Sequence, residues 1–218
     1  MPPIISVIGK SNSGKTTLIE KLIAELTSRG YRVATIKHSH HNFEIDQPGK
    51  DSWRHLQAGS EATAIISPNK ITLMKPVAEE LTTSDIIRLF GEDYDIILTE
   101  GFKQGKSPKI EVHRREIGPP FDTVSKLVAI ATDEPLQTKT CQFSLEDAIG
   151  LTDLLEQGFI KPQRKRFTLY INNAPVTLSA FPKKIIGNVL LAMVSSLKGI
   201  AQIRSLDISI RRQTSKTD

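Results

Sequence analysis

Gly9-Lys10-Ser11-Asn12-Ser13-Gly14-Lys15-Thr16-Thr17 fills every fixed position of the pattern G-x-x-x-x-G-K-[ST], and the residues on either side of it decide the fold. These residue types at this spacing suit a nucleoside triphosphate. The glycines let successive backbone N–H groups curl around phosphate oxygens, Lys15 reaches the β and γ phosphates, and the Thr16 hydroxyl is a ligand for Mg²⁺. Gly9, Ser11, Asn12, Ser13, Gly14, Lys15, Thr16 and Thr17 are therefore the candidate nucleotide-binding residues, with Lys15 also a catalytic candidate.

Upstream, Ile4, Ile5, Val7 and Ile8 form a short apolar, β-branched run of the kind buried in a parallel sheet. Downstream, Leu18, Ile19, Leu22, Ile23 and Leu26 recur at helical spacing up to a stop at Gly30. Strand, loop and helix in this order bring an anion to a helix N-terminus, where unpaired N–H groups and the positive dipole end favour it. The expected fold class is α/β, a mainly parallel P-loop NTPase sheet with flanking helices.

Composition narrows the function classes. The 218 residues, 39% hydrophobic, are enough for one substantial core with or without a small appendage. No apolar run reaches bilayer length and no signal-peptide order opens the chain, so a cytoplasmic protein without membrane contact is expected. The single Cys141 excludes an internal disulfide and fits buried packing. A net charge of +5 suits an anionic ligand, but the basic clusters are dispersed and aromatic residues make up only 6%, which argues against nucleic acid.

Along the chain, Val33 to Ile36 reads as a second strand that runs into Lys37-His38-Ser39-His40-His41, a polar loop at a strand's C-terminal end where ligands gather in open parallel sheets. Asp51 begins a short helix ended by Gly59. Ala62 to Ile66 and Ile71 to Met74 read as a hairpin, and Ser84 as the cap of a helix running to Gly91. Asp95 to Gly101 is an apolar strand that delivers Glu100 at its C-terminal end, placed to hold the Mg²⁺ water shell or to orient a water nucleophile. Glu100 is thus both a catalytic and a metal candidate, with Thr16 the second metal candidate.

Lys109 to His113 alternates like an exposed or edge strand within a β insertion. Leu127 to Ala131 restores a buried strand, and Ser144 precedes a helix ending at Gly158. A P-loop nucleotide-binding domain over residues 1–158 is followed by a basic linker and a small α+β appendage, ββαβ in order, over residues 165–218. In the appendage, Asn172-Asn173 turns a hairpin, Pro182 opens a helix, and Ile203 to Ile210 is a final strand.

His38, His40 and His41 are closely spaced, but without a paired Cys or carboxylate motif they suit an anion better than zinc. Lys37, Lys50 and Arg54 add positive charge. Together they make a second anion site for a phosphorylated or pterin-like molecule, with Lys37, His38 and His41 as its binding candidates.

The blocks Ile36-Lys37-His38-Ser39-His40-His41, Asp46-Gln47-Pro48-Gly49-Lys50-Asp51-Ser52, Leu98-Thr99-Glu100-Gly101-Phe102-Lys103 and Pro108-Lys109-Ile110-Glu111, in this order, closely resemble the molybdopterin-guanine dinucleotide biosynthesis protein B family over roughly Pro3 to Gly158. The resemblance implies a GTP-binding protein with weak GTPase activity and Mg²⁺. It would act as a homodimer beside the molybdopterin guanylyltransferase, dimerising through the region Phe102 to His113, and Gly49, Lys50 and Asp51 would join the binding residues. Asn12 replaces a glycine common in the family, a small change because Asn tolerates positive φ. The appendage lies outside the family's minimal core.

No N-K-x-D motif follows a strand, since Asn69-Lys70 leads into Ile71-Thr72. Asp133, at a strand end, either accepts from guanine N1 and N2 or is an ordinary turn residue. Two rival functions remain open at this stage. One is a small-molecule kinase, which would need an arginine lid that Arg88, Arg114 and Arg115 are too scattered in sequence to identify. The other is a nucleotide-binding adaptor that does not require turnover.

Overall fold

The computed structural model describes residues 2–39, 46–78, 81–91, 93–163, 167, 169–172, 174–176, 178–200, 202, 203, 206, 208 and 210. Two compact units, Met1–Arg166 and Phe167–Asp218, divide the chain. In the first, β1 (Ile4–Ile8) leads through the glycine-rich loop to α1 (Lys15–Ser28), β2 (Val33–Lys37) and α2 (Asp51–Gln57). An antiparallel pair follows, β3 (Thr63–Ser67) and β4 (Lys70–Met74), then α3 (Thr83–Phe90) and β5 (Ile96–Glu100). The remaining elements are β6 (Lys109–His113), β7 (Leu127–Thr132), β8 (Cys141–Ser144) and α4 (Ala148–Leu155).

Six of these strands form one parallel sheet in the order β2-β5-β1-β6-β7-β8, which is the α/β architecture the loop and its flanks imply. Period-two alternation splits the strands between two cores. Ile5 and Val7 of β1, Ile96 and Leu98 of β5, and Ile110 and Val112 of β6 pack with Leu18, Leu22 and Leu26 of α1 and Leu151 and Leu155 of α4. On the other face, Ile97 joins Ala34 and Ile36 of β2 and Ile87 of α3.

The strand Lys109–His113 departs from the sequence expectation. It is a fully buried strand hydrogen-bonded to β1 on one side and β7 on the other, not an exposed or edge strand. Its alternation of charged and apolar residues is real, but the charged face is paired internally except for Glu111 Oε2, which is buried without a hydrogen-bond partner among the described residues. Lys109 Nζ donates to the carbonyls of Gly105 (2.6 Å), Ser107 (3.0 Å) and Ser125 (3.1 Å). Glu111 Oε1 accepts from the Phe121 N–H at 2.8 Å, and His113 Nε2 lies 2.9 Å from Glu134 Oε1. Burial first, and repulsion from Lys126 second, push the Lys109 ammonium below the ordinary lysine range. The β insertion outside the main sheet is instead the β3-β4 hairpin.

Smaller corrections share a local cause, which is that a polar side chain caps a helix only if the backbone brings it to the first free N–H groups. Thr82, not Ser84, caps α3, through a reciprocal capping box with Asp85. Asp147 caps α4, while Ser144 closes β8, a strand the sequence reading did not anticipate. Cys141 lies on that outer strand and is exposed, not packed in a core. Beyond α4 the chain continues in a π-helical turn, Glu156–Ile160, and a 3-10 turn, Lys161–Gln163.

The second unit contains an antiparallel pair, β9 (Leu169–Ile171) and β10 (Ala174–Val176), turned through Asn172 at φ 49°, and α5 (Ala180–Ser195) with Pro182 in its first turn. Half of the span expected as a final strand, Ile203 to Ile210, lies outside the described residues. Among the described residues no helix is long and apolar enough to cross a membrane.

An ion cluster ties the end of α1 to α4. Arg29 Nη1 donates to Asp153 Oδ1 (2.6 Å) and Glu156 Oε2 (2.8 Å), its Nε to Glu25 Oε1, and the Tyr31 hydroxyl donates to Glu156 Oε1. The hydrogen bonds from Arg29, then Tyr31 and Lys161, hold the Glu156 carboxyl at about 2, down from 4.5; those that Arg29 makes to Asp153, then Glu156 and Glu25, raise its guanidinium further. Because the folded value is depressed, the stabilisation is complete above pH 4.5 and fades as pH falls towards 2. Glu156→Gln is expected to lower Tm at neutral pH and to flatten the acid-side loss across that window. Thermal melts of both proteins from pH 7 downward check this; parallel curves would show that the cluster does not contribute.

Candidate functional site

The loop between β1 and α1 is built on close backbone approach. A side chain at Gly9 would place its Cβ 2.5 Å from Ser13 Oγ and 2.6 Å from the Val112 carbonyl oxygen, so β6 and the loop can meet only at a glycine. Asn12 sits at φ 62°, the left-handed region its short polar side chain tolerates, and Gly14 at φ 95° is the N-cap of α1. Lys15 folds back over this curl, donating to the carbonyls of Gly9 (3.1 Å) and Lys10 (2.8 Å). Ser11 and Asn12 are exposed at the crest, as are Thr16 and Thr17 on the first turn of α1.

Ser13 is 1% exposed and its Oγ has no hydrogen-bond partner among the described residues. An orphaned buried hydroxyl beside a glycine cradle, a lysine and a helix N-terminus fits a phosphate group.

Glu100 closes the site from the end of β5. Its backbone is pinned by His38 N–H donating to the Glu100 carbonyl (3.1 Å) and by Gly101 N–H donating to Val7 O (3.0 Å). The carboxylate then meets α1, accepting from the Thr16 hydroxyl at 3.1 Å on Oε2, while Lys37 Nζ stands 3.8 Å from Oε1. A hydroxyl and a carboxylate side by side at the phosphate loop are the hard oxygen donors that Mg²⁺ takes. His38 lies against Phe102, ring centroids 4.7 Å apart, and Lys103 covers the Phe121 ring at 3.5 Å. A buried polar chain, Thr99 to Ser6 to Ser107, and the Lys109 ammonium hold the segment after Glu100 from beneath.

The structure thus gathers the loop residues with Glu100, Lys37 and His38. Among the described residues, no hydrogen bond or ion pair joins Gly49, Lys50 or Asp51 to them. Those three are exposed at the start of α2, whose packed neighbour is β3, and none has a hydrogen bond or ion pair to the loop. An open concavity of about 530 Å³ on α2, lined by Asp51, Trp53, Arg54, His55, Gln57 and Ala58, contains no loop residue. His40 and His41 lie outside the described residues, and among the described residues no group of three or more His, Cys, Asp or Glu is arranged to hold a metal ion. Asp133 is exposed at the end of β7, with Oδ1 accepting from the Arg115 N–H at 2.9 Å.

Arg114 is the residue that sequence reasoning missed. It directly follows β6, and its Nε donates to the Ser13 carbonyl at 3.1 Å. The available signal was the two-residue basic step after a strand, which carries weight only once β6 is known to lie beside β1.

Residues 4–133 match the family model described as molybdopterin guanine dinucleotide synthesis protein B. The chain is 38% identical over 156 residues to the Haemophilus influenzae molybdopterin-guanine dinucleotide biosynthesis adapter protein, covering 71% of this chain and 88% of that one. It is 37% identical over 167 residues to the Escherichia coli adapter protein of the same name, covering 74% and 95%. The solved structure of a MobB protein homolog from Bacillus stearothermophilus superposes with a TM-score of 0.54 at 25% identity, covering 73% of this chain and 99% of that one.

Gly9→Ala is expected to lower Tm by several degrees, because overpacking here costs about 1–3 kcal/mol and shifts a domain of this size by about 2–4 °C per kcal/mol. Gly158→Ala, where a Cβ meets nothing within 4 Å, serves as the comparison and should melt with the wild type.

Proposed function

The chain belongs to the molybdopterin guanine dinucleotide synthesis protein B family, and on that premise we propose that it is a GTP-binding adapter of molybdopterin guanine dinucleotide biosynthesis with weak GTPase activity. The contact between Thr16 and Glu100 across the mouth of the phosphate loop carries this reading. Bound GTP with Mg²⁺ would supply a polarised phosphate chain to this rim. Lys15 and the loop N–H groups hold phosphate oxygens, Thr16 and Glu100 ligate the cation or its water shell, and Glu100 orients the water that hydrolyses the nucleotide. Asp133 offers its remaining oxygen to the base.

The adapter works beside the molybdopterin guanylyltransferase in the cytoplasm, and Lys37 and His38 present positive charge and a ring edge to molybdopterin or another anion. The resemblance implies a homodimer through the region Phe102 to His113, of which Lys109–His113 is a buried strand paired on both sides. We assign self-association to the β3-β4 hairpin, where Ile66 and Ile71 are register partners, 76% and 66% exposed, on a sheet that has two strands among the described residues. Such a hairpin is marginal alone, and a second copy covers its apolar face.

Two measurements test the proposal. Titration with GTP and ATP, with and without Mg²⁺, is expected to show GTP preference and slow release of phosphate in the presence of molybdopterin and the guanylyltransferase. ATP preference with a phosphorylated acceptor would overturn it in favour of a kinase. Lys15→Ala is expected to abolish triphosphate binding with Tm retained. Separately, Ile66→Asp is expected to convert a dimer to a monomer in sedimentation; an unchanged mass would place the interface elsewhere.

A further inference from the structure

Arg114 spends only part of its guanidinium on the protein. The Nε–H is bonded to Ser13 O, and the group lies along Gly14, with Nη2, Nε and Cζ 3.4, 3.5 and 3.9 Å from the place a Cβ would take there. Its two Nη groups have no hydrogen-bond or ion-pair partner among the described residues. The side chain is half-buried, so the fork is held in one place before any ligand arrives. One residue of loop carries both this unspent fork, on its carbonyl, and the orphaned buried Ser13 Oγ. Two sets of unfilled polar groups converging on a helix N-terminus are completed by an oxyanion.

Position along the rim says which end of the anion. β1 lies between β5 and β6, so Glu100 and Thr16 stand on one side of the loop and Arg114 on the other. The next strand outward from β6 is β7, which is followed directly by Asp133, and the Arg115 N–H ties that carboxylate to the residue after Arg114. From β5 to β7 the rim therefore offers cation ligands, then the lysine and loop amides, then the arginine fork, then a free carboxylate oxygen. This order matches a nucleotide laid from terminal phosphate to base. We propose that Arg114 is a second cationic ligand of the phosphate chain and binds its nucleoside-side end, opposite Thr16 and Glu100.

This proposal rests on the nucleotide reading above. A ligand at that end is shared by GDP and GTP, so Arg114 sets affinity for both and discriminates neither, whereas groups at the Glu100 end act on the triphosphate. The test is fluorescence titration of the full chain with labelled GDP and labelled GTP in Mg²⁺, for wild type, Arg114→Ala and Arg114→Lys, with thermal melts of each nucleotide-free protein. Loss of a charge-assisted fork should weaken both nucleotides about tenfold or more and by the same factor, with partial recovery in Arg114→Lys. Weakening of GTP alone would overturn the proposal by placing the guanidinium at the terminal phosphate. Unchanged affinities would overturn it by leaving Arg114 as a brace for Ser13. If Arg114→Ala fails to fold, Arg114→Lys decides, since it keeps the charge but not the planar fork; wild-type affinity for both nucleotides then overturns the proposal. Wild-type protein that binds neither nucleotide removes the nucleotide reading itself.

Discussion

The side-by-side pairing of β1 with β5 and β6 is the interaction on which the rest of the site depends. Parallel register brings Val7 opposite both Glu100 and Ile110. The chain leaving β1 is thereby flanked at once by a carboxylate from one neighbour and an arginine from the other. Gly9 makes this possible, because the approach of Val112 O leaves no room for a side chain at the point where the loop departs. Phosphate-loop geometry is thus imposed by the sheet as much as by the loop's own residues.

Much of this is legible in the sequence. Apolar runs at Ile4–Ile8 and Ile96–Glu100, the helical period after Thr16, and Glu100 at a strand end all reflect burial or backbone rules that act locally. The hairpin at β3 and β4 was legible within a residue. What failed was adjacency. Lys109, Glu111 and His113 look solvent-facing by composition, yet one of the three carbonyls that satisfy Lys109 is that of Ser125, 16 residues away, and no local pattern encodes that. Arg114 was passed over for the same reason, since its importance comes from a strand order that one sequence does not display. The rim from Lys37 to Arg54 read as one basic site, and among the described residues no hydrogen bond or ion pair joins Lys37 to the start of α2.

The buried lysine gives the segment after Glu100 its shape. Three carbonyl acceptors from two separate loops converge on one ammonium, so those loops are held together by a group that is costly to leave unpaired. Above them Lys103 and Phe121 make the matching contact on the outside. Glu100 therefore projects from a strand whose following turn is fixed on both sides, which favours a rigid acid over one that must be recruited.

The two ends of the first unit differ in how they are held. β1, β5 and β6 are almost wholly buried, whereas α2 has no buried residue and the β3-β4 hairpin leaves most of its side chains to solvent. Their amides should divide accordingly in hydrogen exchange, slow in the central strands and fast in the hairpin, with the fast set slowing only when another surface covers it. The molecule holds its glycine-rich loop on a rigid, buried frame and leaves the hairpin's apolar side chains in water.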